Sequence, residues 1–321
     1  SSGLQSYEPA YRHHASDTLL SMRTGVDIGG TKIEAVVIDA VDQVLSRKRV
    51  STPRGNYEQI VEAITDLVHQ VEREAQSVSA HIGMGVPGSP SPSTGLMRNA
   101  NSTVLNGRPF RQDLELALGR PVVMANDANC LALSESLQGA ATGASTVFAI
   151  ILGTGVGGAW TVNGQLVCGL NGVAGEWGHM PLPWPQAGER DPQPCWCGQV
   201  GCLETWLSGP ALEANWVRSG QEVMSATALA SAHPQSEVVQ QWLDRLARAT
   251  AVIINVLDPE VMVVGGGLSR IDAIYEELPL RWKEYTFSDE LCTRIVPALH
   301  GDSSGVLGAA RLTPSTIRPA R

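Results

Sequence analysis

Cys195, Cys197 and Cys202, in the stretch CWCGQVGCLETW, put three soft metal ligands within eight positions of one another. Zinc takes four ligands in a tetrahedron, with Zn–S near ~2.3 Å and Zn–N near ~2.0 Å. His179, in GEWGH at 175–179, is the nearest upstream imidazole and the natural fourth ligand. A Cys3His set is a closed structural site, without the open position that metal catalysis needs. A redox-active thiol centre is the rival reading, but CxC with a third cysteine close by fits a metal better in a reduced compartment. Cys130, Cys168 and Cys292 sit among apolar neighbours and read as small hydrophobes. A metal knot would hold Glu176 and Glu204 rigidly on either side of it. Two oriented carboxylates beside Asn126 and Asp127 form a cage suited to a polyol, because each carboxylate can accept two hydroxyls. His179 can serve both parts, one ring nitrogen on the metal and the other on the polyol.

A second group of residues suits phosphate. DIGGTK at 27–32 offers backbone N–H groups on Gly29 and Gly30, the Thr31 hydroxyl and the Lys32 ammonium. Gly153, Thr154 and Gly155 repeat the theme, and Gly265-Gly266-Gly267 permits close approach of a flat ring or ribose. Any one of these is an ordinary turn, but all three directly follow apolar strands. The GK[ST] ending of a Walker loop is absent. Asp27, just before the first glycines, can hold Mg²⁺ directly or through water, or simply form the turn. Asn126-Asp127 also has two readings: a helix N-cap, or a polar pair that grips a hydroxyl and takes its proton. Local sequence leaves both open.

The elements that must position these groups follow from periodicity. RTGVDIGGTKIEAVVIDAVDQVLSRKRV reads as a strand, a glycine turn, a β-branched strand over 33–38 and a third strand. The glycines here do not open a helix, which excludes a Rossmann unit. Ile60, Val61, Ile64, Leu67, Val68 and Val71 recur at helical spacing. HIGMGVPG is a short buried strand, and PVVMANDANCLALSES a strand that ends at Asn126-Asp127 and continues as a helix. STVFAIILGTGVGGAWTVNGQLV then repeats the opening pattern, with a hairpin at Asn163-Gly164. Two such halves suggest duplicated lobes. A long apolar-faced helix runs to Asp258-Pro259, VMVVGGGLSR is a buried strand, and GDSSGVLGAARL a helix capped by Ser303 or Ser304.

The 321 residues suit about two domains, and 43% hydrophobic with 17% charged residues is a globular composition. A net charge of -9 disfavours nucleic acid, whose affinity rests on Lys and Arg. No apolar run reaches the ~20 residues of a membrane helix. Residues 1–21 lack a basic region followed by an apolar core, so they read as a flexible leader or cloning remnant rather than a secretion signal. With no export signal, the expected location is the cytoplasm.

These motifs together resemble the ROK family (repressors, open reading frames and sugar kinases) of the actin-like, hexokinase-like ATPase superfamily. GVDIGGTK, NDANCLALSE, ILGTGVGG, GVAGEWGHMPL, VVGGGLS and a complete CxCGxxGCxE carry the resemblance, which runs from Arg23 to Leu312. It implies an α/β fold of two ribonuclease-H-like lobes around a central cleft: 22–125 plus 301–321 forms the first lobe, 126–300 the second with its zinc-bound loop, and the final helix returns to the first. It implies ATP and Mg²⁺ as cofactors with structural Zn²⁺, and a hexose as the acceptor in a homodimeric enzyme. Asp127 would be the base; Asn101, Asn126, Glu176, His179 and Glu204 would bind sugar. Asp27, Gly29, Gly30, Thr31, Lys32, Gly153, Thr154, Gly155, Gly266 and Gly267 would surround MgATP, and His179, Cys195, Cys197 and Cys202 the zinc.

VPGSPSPSTGLMRNANSTVLNGRPF looks most like the fructokinases that also accept mannose, so phosphorylation of D-fructose at the 6-hydroxyl is the expected reaction. N-acetylglucosamine kinase or glucokinase is the alternative within the family. A DNA-binding repressor is disfavoured by the short, weakly basic stretch before Met22. A sugar sensor without turnover is disfavoured by retention of every catalytic residue type.

Overall fold

The computed structural model describes residues 22–100, 102–189 and 191–312. Asn101, expected among the sugar ligands, the 1–21 leader and the end of the chain from 313 lie outside the described residues.

Three strands open the chain, β1 (Arg23–Ile28), β2 (Lys32–Ile38) and β3 (Val44–Ser51), each antiparallel to the next. Helix α1 (Tyr57–Glu74) starts at Asn56, whose side chain accepts the Gln59 N–H, and buries Ile60, Ile64, Leu67, Val68 and Val71 against this sheet. β4 (Ile82–Val86) adds parallel to β1. A small hairpin, β5 (Ser89–Pro90) with β6 (Met97–Arg98), and α2 (Phe110–Leu118) lead to β7 (Val122–Asn126), parallel to β4. The order of the first sheet is β3-β2-β1-β4-β7.

Helix α3 (Asp127–Gln138) leads to β8 (Thr146–Leu152), β9 (Val156–Val162) and β10 (Gln165–Leu166), again successive antiparallel neighbours. The long excursion 167–203 carries the cysteines. The helices α4 (Glu204–Leu207), α5 (Gly209–Arg218), α6 (Ala226–Ala232) and α7 (Glu237–Leu257) follow. β11 (Val261–Gly265) returns parallel to β8, α8 (Ala273–Arg281) crosses over, and β12 (Arg294–Pro297) pairs with β11. The order β10-β9-β8-β11-β12 reproduces that of the first sheet. The duplicated pattern in the sequence is therefore a duplicated topology of three antiparallel strands followed by two parallel ones.

The last helix, α9 (Ser304–Ala310), packs against β1, β4 and β2, while α3 packs against β9 and β8, and the two helices cross each other between the sheets. Their meeting surface is made of small residues. A Cβ on Gly83 would sit 1.8 Å from the Ala309 carbonyl oxygen, and one on Gly308 would sit 1.9 Å from that of Cys130. The expected serine cap on α9 is absent: Ser303 Oγ accepts from Arg47 and Ser304 Oγ donates to Glu135. Glu135, fully buried on α3, also accepts the N–H groups of Ala140, Leu299 and His300. One carboxylate thus fastens the returning chain to α3.

The second core is the larger. Trp242 and Trp282 are fully buried in it and donate their indole N–H groups to the Leu207 carbonyl and Thr250 Oγ1 at 3.0 and 2.8 Å. Among the described residues no helix is long and apolar enough to cross a membrane.

Candidate active site

Asn126 and Asp127 stand where β7 turns into α3. The Asn126 carboxamide oxygen accepts the Asn129 N–H at 2.8 Å, so Asn126 is the N-cap. Asp127 opens the helix, and its Oδ1 accepts the Ala128 N–H at 2.9 Å. Both readings of the pair are compatible: Asn126 caps, and Asp127 is left facing the cleft. Water reaches Asp127, but the cleft walls surround it closely. This burial pushes its carboxyl above the ordinary range, against the pull of the Ala128 N–H. Raised basicity suits a group that must take a proton near neutral pH.

Asp27, the last residue but one of β1, lies next to that site. Burial first, then the neighbouring Asp127 and Glu34 carboxylates, push its carboxyl up to about 6, while Lys32 and Arg49 pull the other way. A carboxylate raised in this manner is a place that a divalent cation relieves, so the chemistry of the spot fits Mg²⁺. The Gly29–Lys32 turn beyond it is closed by the Gly29 N–H to the Lys32 carbonyl, 2.8 Å. Gly30 lies open on this turn: a Cβ added there would meet no heavy atom within 4 Å.

The second glycine turn, 153–155, abuts the third. Gly209 N–H donates to the Gly153 carbonyl at 2.8 Å, and a Cβ on Gly153 would lie 3.7 Å from the Gly267 nitrogen. Gly266 has φ 84, and a side chain there would strike the Leu152 carbonyl oxygen at 2.3 Å. The expected nucleotide residues of the second lobe thus form one continuous floor, with Thr154 exposed upon it.

Glu176 and His179 lie on a 3-10 turn (Trp177–His179) pressed onto the start of β9. The Trp177 indole donates to the Gly157 carbonyl at 2.8 Å, and Gly178 has no room for a side chain because the Val156 carbonyl oxygen would be 1.9 Å away. Burial raises the Glu176 carboxyl; Asp127 and Glu204 raise it further, whereas His179 and Arg98 lower it. Asp127, His179 and Glu204 are thus all near enough to Glu176 for their charges to act on it. Glu204, first residue of α4, has Oε2 on the Val156 N–H at 2.9 Å and Oε1 on the Trp196 indole N–H at 2.6 Å.

Arg98 carries no motif that singles it out in the sequence. Its Nε is buried and has no hydrogen-bond partner among the described residues, and its charge is felt at Glu176. The one sequence signal is its place in the loop stretch that also carries Asn99 and Asn101.

His179, Cys195, Cys197 and Cys202 converge, their ligand atoms all within 4.8 Å of one another. Cys195 Sγ is 3.6 Å from His179 Nδ1, and Cys197 Sγ is 3.6 Å from Cys202 Sγ. With bonds of ~2.3 and ~2.0 Å, the edges of a tetrahedral Cys3His zinc site come to roughly 3.5–3.8 Å. A disulfide needs ~2.05 Å. Burial, then crowding by the neighbouring thiols, pushes Cys202 up to about 12, so a cation is required to make it a thiolate. The donor set therefore fits zinc, through Nδ1 of His179. The loop has a second anchor. Glu189 is bound by Arg245 and Arg248 of α7 at 2.7 Å, and these guanidinium groups, with the Gln186 N–H, hold its carboxyl down at about 2 despite burial.

Known proteins extend this geometry. The sequence profile of the ROK family matches residues 23–316. An N-acetyl-D-glucosamine kinase of Vibrio cholerae is 40% identical over 300 residues, covering 91% of this chain and 99% of the relative. One from Pectobacterium atrosepticum is 38% identical over 91% of this chain and 98% of its own. Among solved structures, the ROK hexokinase of Thermus thermophilus matches with TM-score 0.79 and 33% identity, covering 90% of this chain and 96% of that one. The ROK glucokinase of Streptomyces griseus in complex with glucose and AMPPNP matches with TM-score 0.71 and 30% identity, over 92% of this chain and 99% of its own. The fructose preference expected from the 86–110 stretch gains no support from these relatives, which favour the alternative. That stretch is loop and short hairpin, where a likeness reports backbone turns more than sugar contacts. The duplicated lobes, the clustered carboxylates and a match along nearly the whole sequence agree: this chain belongs to the ROK family.

Proposed function

We propose that the chain is an ATP-dependent hexose kinase whose preferred acceptor is N-acetyl-D-glucosamine. The enzyme class, a phosphotransferase with an alcohol acceptor, is that of its relatives. The observation that carries the reading is Asp127: a carboxylate raised by burial at the head of α3, whose charge acts on Glu176 together with those of His179 and Glu204.

In the proposed reaction Asp127 accepts the proton of the sugar hydroxyl, taken as the 6-hydroxyl, while that oxygen attacks the γ-phosphorus of ATP. The new O–P bond forms as the β–γ bridging bond breaks, and ADP leaves. Positioning and electrostatics supply most of the rate in such transfers, so the cage around the sugar matters as much as the base. Glu176, Glu204 and the free Nε2 of His179 orient the hydroxyls. The Gly29 and Gly153 N–H groups close their own turns on the Lys32 and Gly155 carbonyls, so the N–H groups of Gly30 and Thr31 and of Thr154 and Gly155 would face the phosphates, with the 265–267 turn along the adenosine. Asp27 would hold Mg²⁺, which would supply neutralisation of the phosphate charge. His179, Cys195, Cys197 and Cys202 would hold zinc, which would stiffen the loop and fix the imidazole tautomer. Rotation of the two lobes (22–125 with 301–321, and 126–300) toward each other would exclude water and suppress ATP hydrolysis.

The test is ADP release with MgATP against N-acetylglucosamine, glucose, mannose and fructose in parallel. N-acetylglucosamine should give the highest kcat/KM. Asp127→Asn should lower kcat by roughly 10²–10⁴-fold while sugar binding by calorimetry persists. Near-normal turnover in a folded Asp127→Asn protein removes the base assignment, and fructose in first place restores the fructokinase reading.

A further inference from the structure

Trp196 has no part in the proposed mechanism, yet its placement is unusual. It is 63% exposed on the zinc loop, although a Trp that contributes nothing beyond burial belongs in a core. Its flanking residues Cys195 and Cys197 both belong to the Cys3His cluster. Its ring meets that of His179 edge-on, with centroids 5.1 Å apart and an interplanar angle of 85°. Its indole N–H reaches Glu204 Oε1 at 2.6 Å, a short bond to a charged acceptor.

We propose that Trp196 is a positioning residue for the sugar site, fixing the Glu204 carboxylate so that it meets the sugar hydroxyls in one orientation; this rests on the hexose-kinase reading above. Glu204 is gripped from both ends. Oε2 takes the Val156 N–H at 2.9 Å, in the space that Gly155 leaves open, where a Cβ would come to 2.7 Å from that oxygen. Oε1 takes the indole. Each carboxylate oxygen has two acceptor sites, so one on each remains for a sugar hydroxyl. Without the indole, Glu204 keeps only the Val156 bond and can rotate about its long side chain. Ordering it is then a cost borne at every binding event. The same indole ties two sugar-facing groups, His179 and Glu204, to the rigid metal knot, and Val156 ties Glu204 to the 153–155 phosphate turn.

The decisive variant is Trp196→Phe, which keeps an aromatic ring beside His179 and removes only the N–H. Sugar KM is expected to rise about tenfold, with ATP KM within twofold of wild type and kcat falling less than sugar KM rises. The sugar Kd from calorimetry in the absence of ATP should rise in parallel. Zinc content and melting temperature should be unchanged, and the sugar-dependent change in tryptophan emission should shrink. An unchanged sugar KM and Kd overturn the proposal. A lower sugar KM overturns it too, because the indole would then be competing with the sugar for Oε1. Equal rises in sugar and ATP KM, or lost zinc, assign Trp196 a structural role in the loop instead. Failure of the function reading is separable, since it shows in the wild type as absence of turnover. The Trp196→Phe to wild-type ratio of sugar Kd still decides this proposal, and a wild type that binds no sugar ends both.

Discussion

A carboxylate that nature keeps in a costly place leaves a thermodynamic trace. Asp27 has a folded-state value of about 6, against 3.8 for an unperturbed side chain, with burial as the main cause. Because the folded value is the higher one, its contribution to stability is full below about pH 4 and is lost as pH rises through 6. At pH 7.5 the metal-free protein is therefore strained by a charge that Mg²⁺ would offset. Asp27→Asn should stabilise the metal-free protein at that pH by about 1–3 kcal/mol, seen as a raised melting temperature, while MgATP-dependent turnover collapses. The gain should fade at pH 4. A variant less stable than wild type at pH 7.5 would show that Asp27 makes contacts worth more than its strain. Catalysis should have the complementary profile. The raised values of Asp127 and Asp27 mean that activity is lost on the acid side at a higher pH than ordinary carboxylates would give.

At the scale of elements, the described residues of the 167–203 excursion form two 3-10 turns and two isolated antiparallel bridges, Pro181 with Cys202 and Pro194 with Val200. It is held by two anchors of different chemistry: the Cys3His cluster at one point and the Glu189 pair with α7 at another. Glu176 and His179 come before Cys195, Cys197 and Cys202, and Glu204 after them, so a metal held there would fix the distance between the two walls of the proposed sugar cage. Cys197→Ser, or zinc removal by a chelator, should raise sugar KM about tenfold or more with a smaller effect on ATP KM. It should also open 190–203 to limited proteolysis. Full sugar affinity in zinc-free, folded protein would leave Glu189 as the anchor that matters.

This element is legible in the sequence because cysteine spacing is nearly a coordinate in itself. The strands and helices that carry Asp27, Asp127 and Gly266 are legible for a different reason. Each lies at the end of an apolar run, and periodicity says where such runs stop. Arg98 and Trp196 are not legible in this way. Neither belongs to a periodic pattern or a ligand set, and what distinguishes them, a buried guanidinium Nε with no partner among the described residues and an indole aimed at a carboxylate on the same loop, exists only once the chain has folded. The α9 cap fails similarly: Ser303 and Ser304 are good cap residues locally, but Arg47 and Glu135 from elsewhere in the chain claim their hydroxyls. Sugar preference is the least legible of all, since the loop that suggests it is where likeness between relatives says least about contacts.

At the scale of the whole molecule, two copies of one sheet topology face each other across α3 and α9, and the first is completed only by α9. A ribosome reads out β1, β2 and β4 early, but the helix that packs against them follows only after the whole second sheet. At typical elongation rates the interval between residue 126 and residue 312 is roughly ten to forty seconds. The second lobe, whose strands are contiguous in sequence, can collapse during that time. The first must wait with one face of its sheet bare, and the bare part includes Gly25 and Gly83, which offer α9 backbone rather than side chains. A nascent chain stopped before residue 304 should bind a chaperone such as trigger factor and resist folding when released. Lengthening the chain past 312 should end both behaviours together, as followed by protease protection of stalled chains. The contact between α3 and α9 that joins the two lobes thus also makes the first lobe dependent on a helix translated long after its own strands.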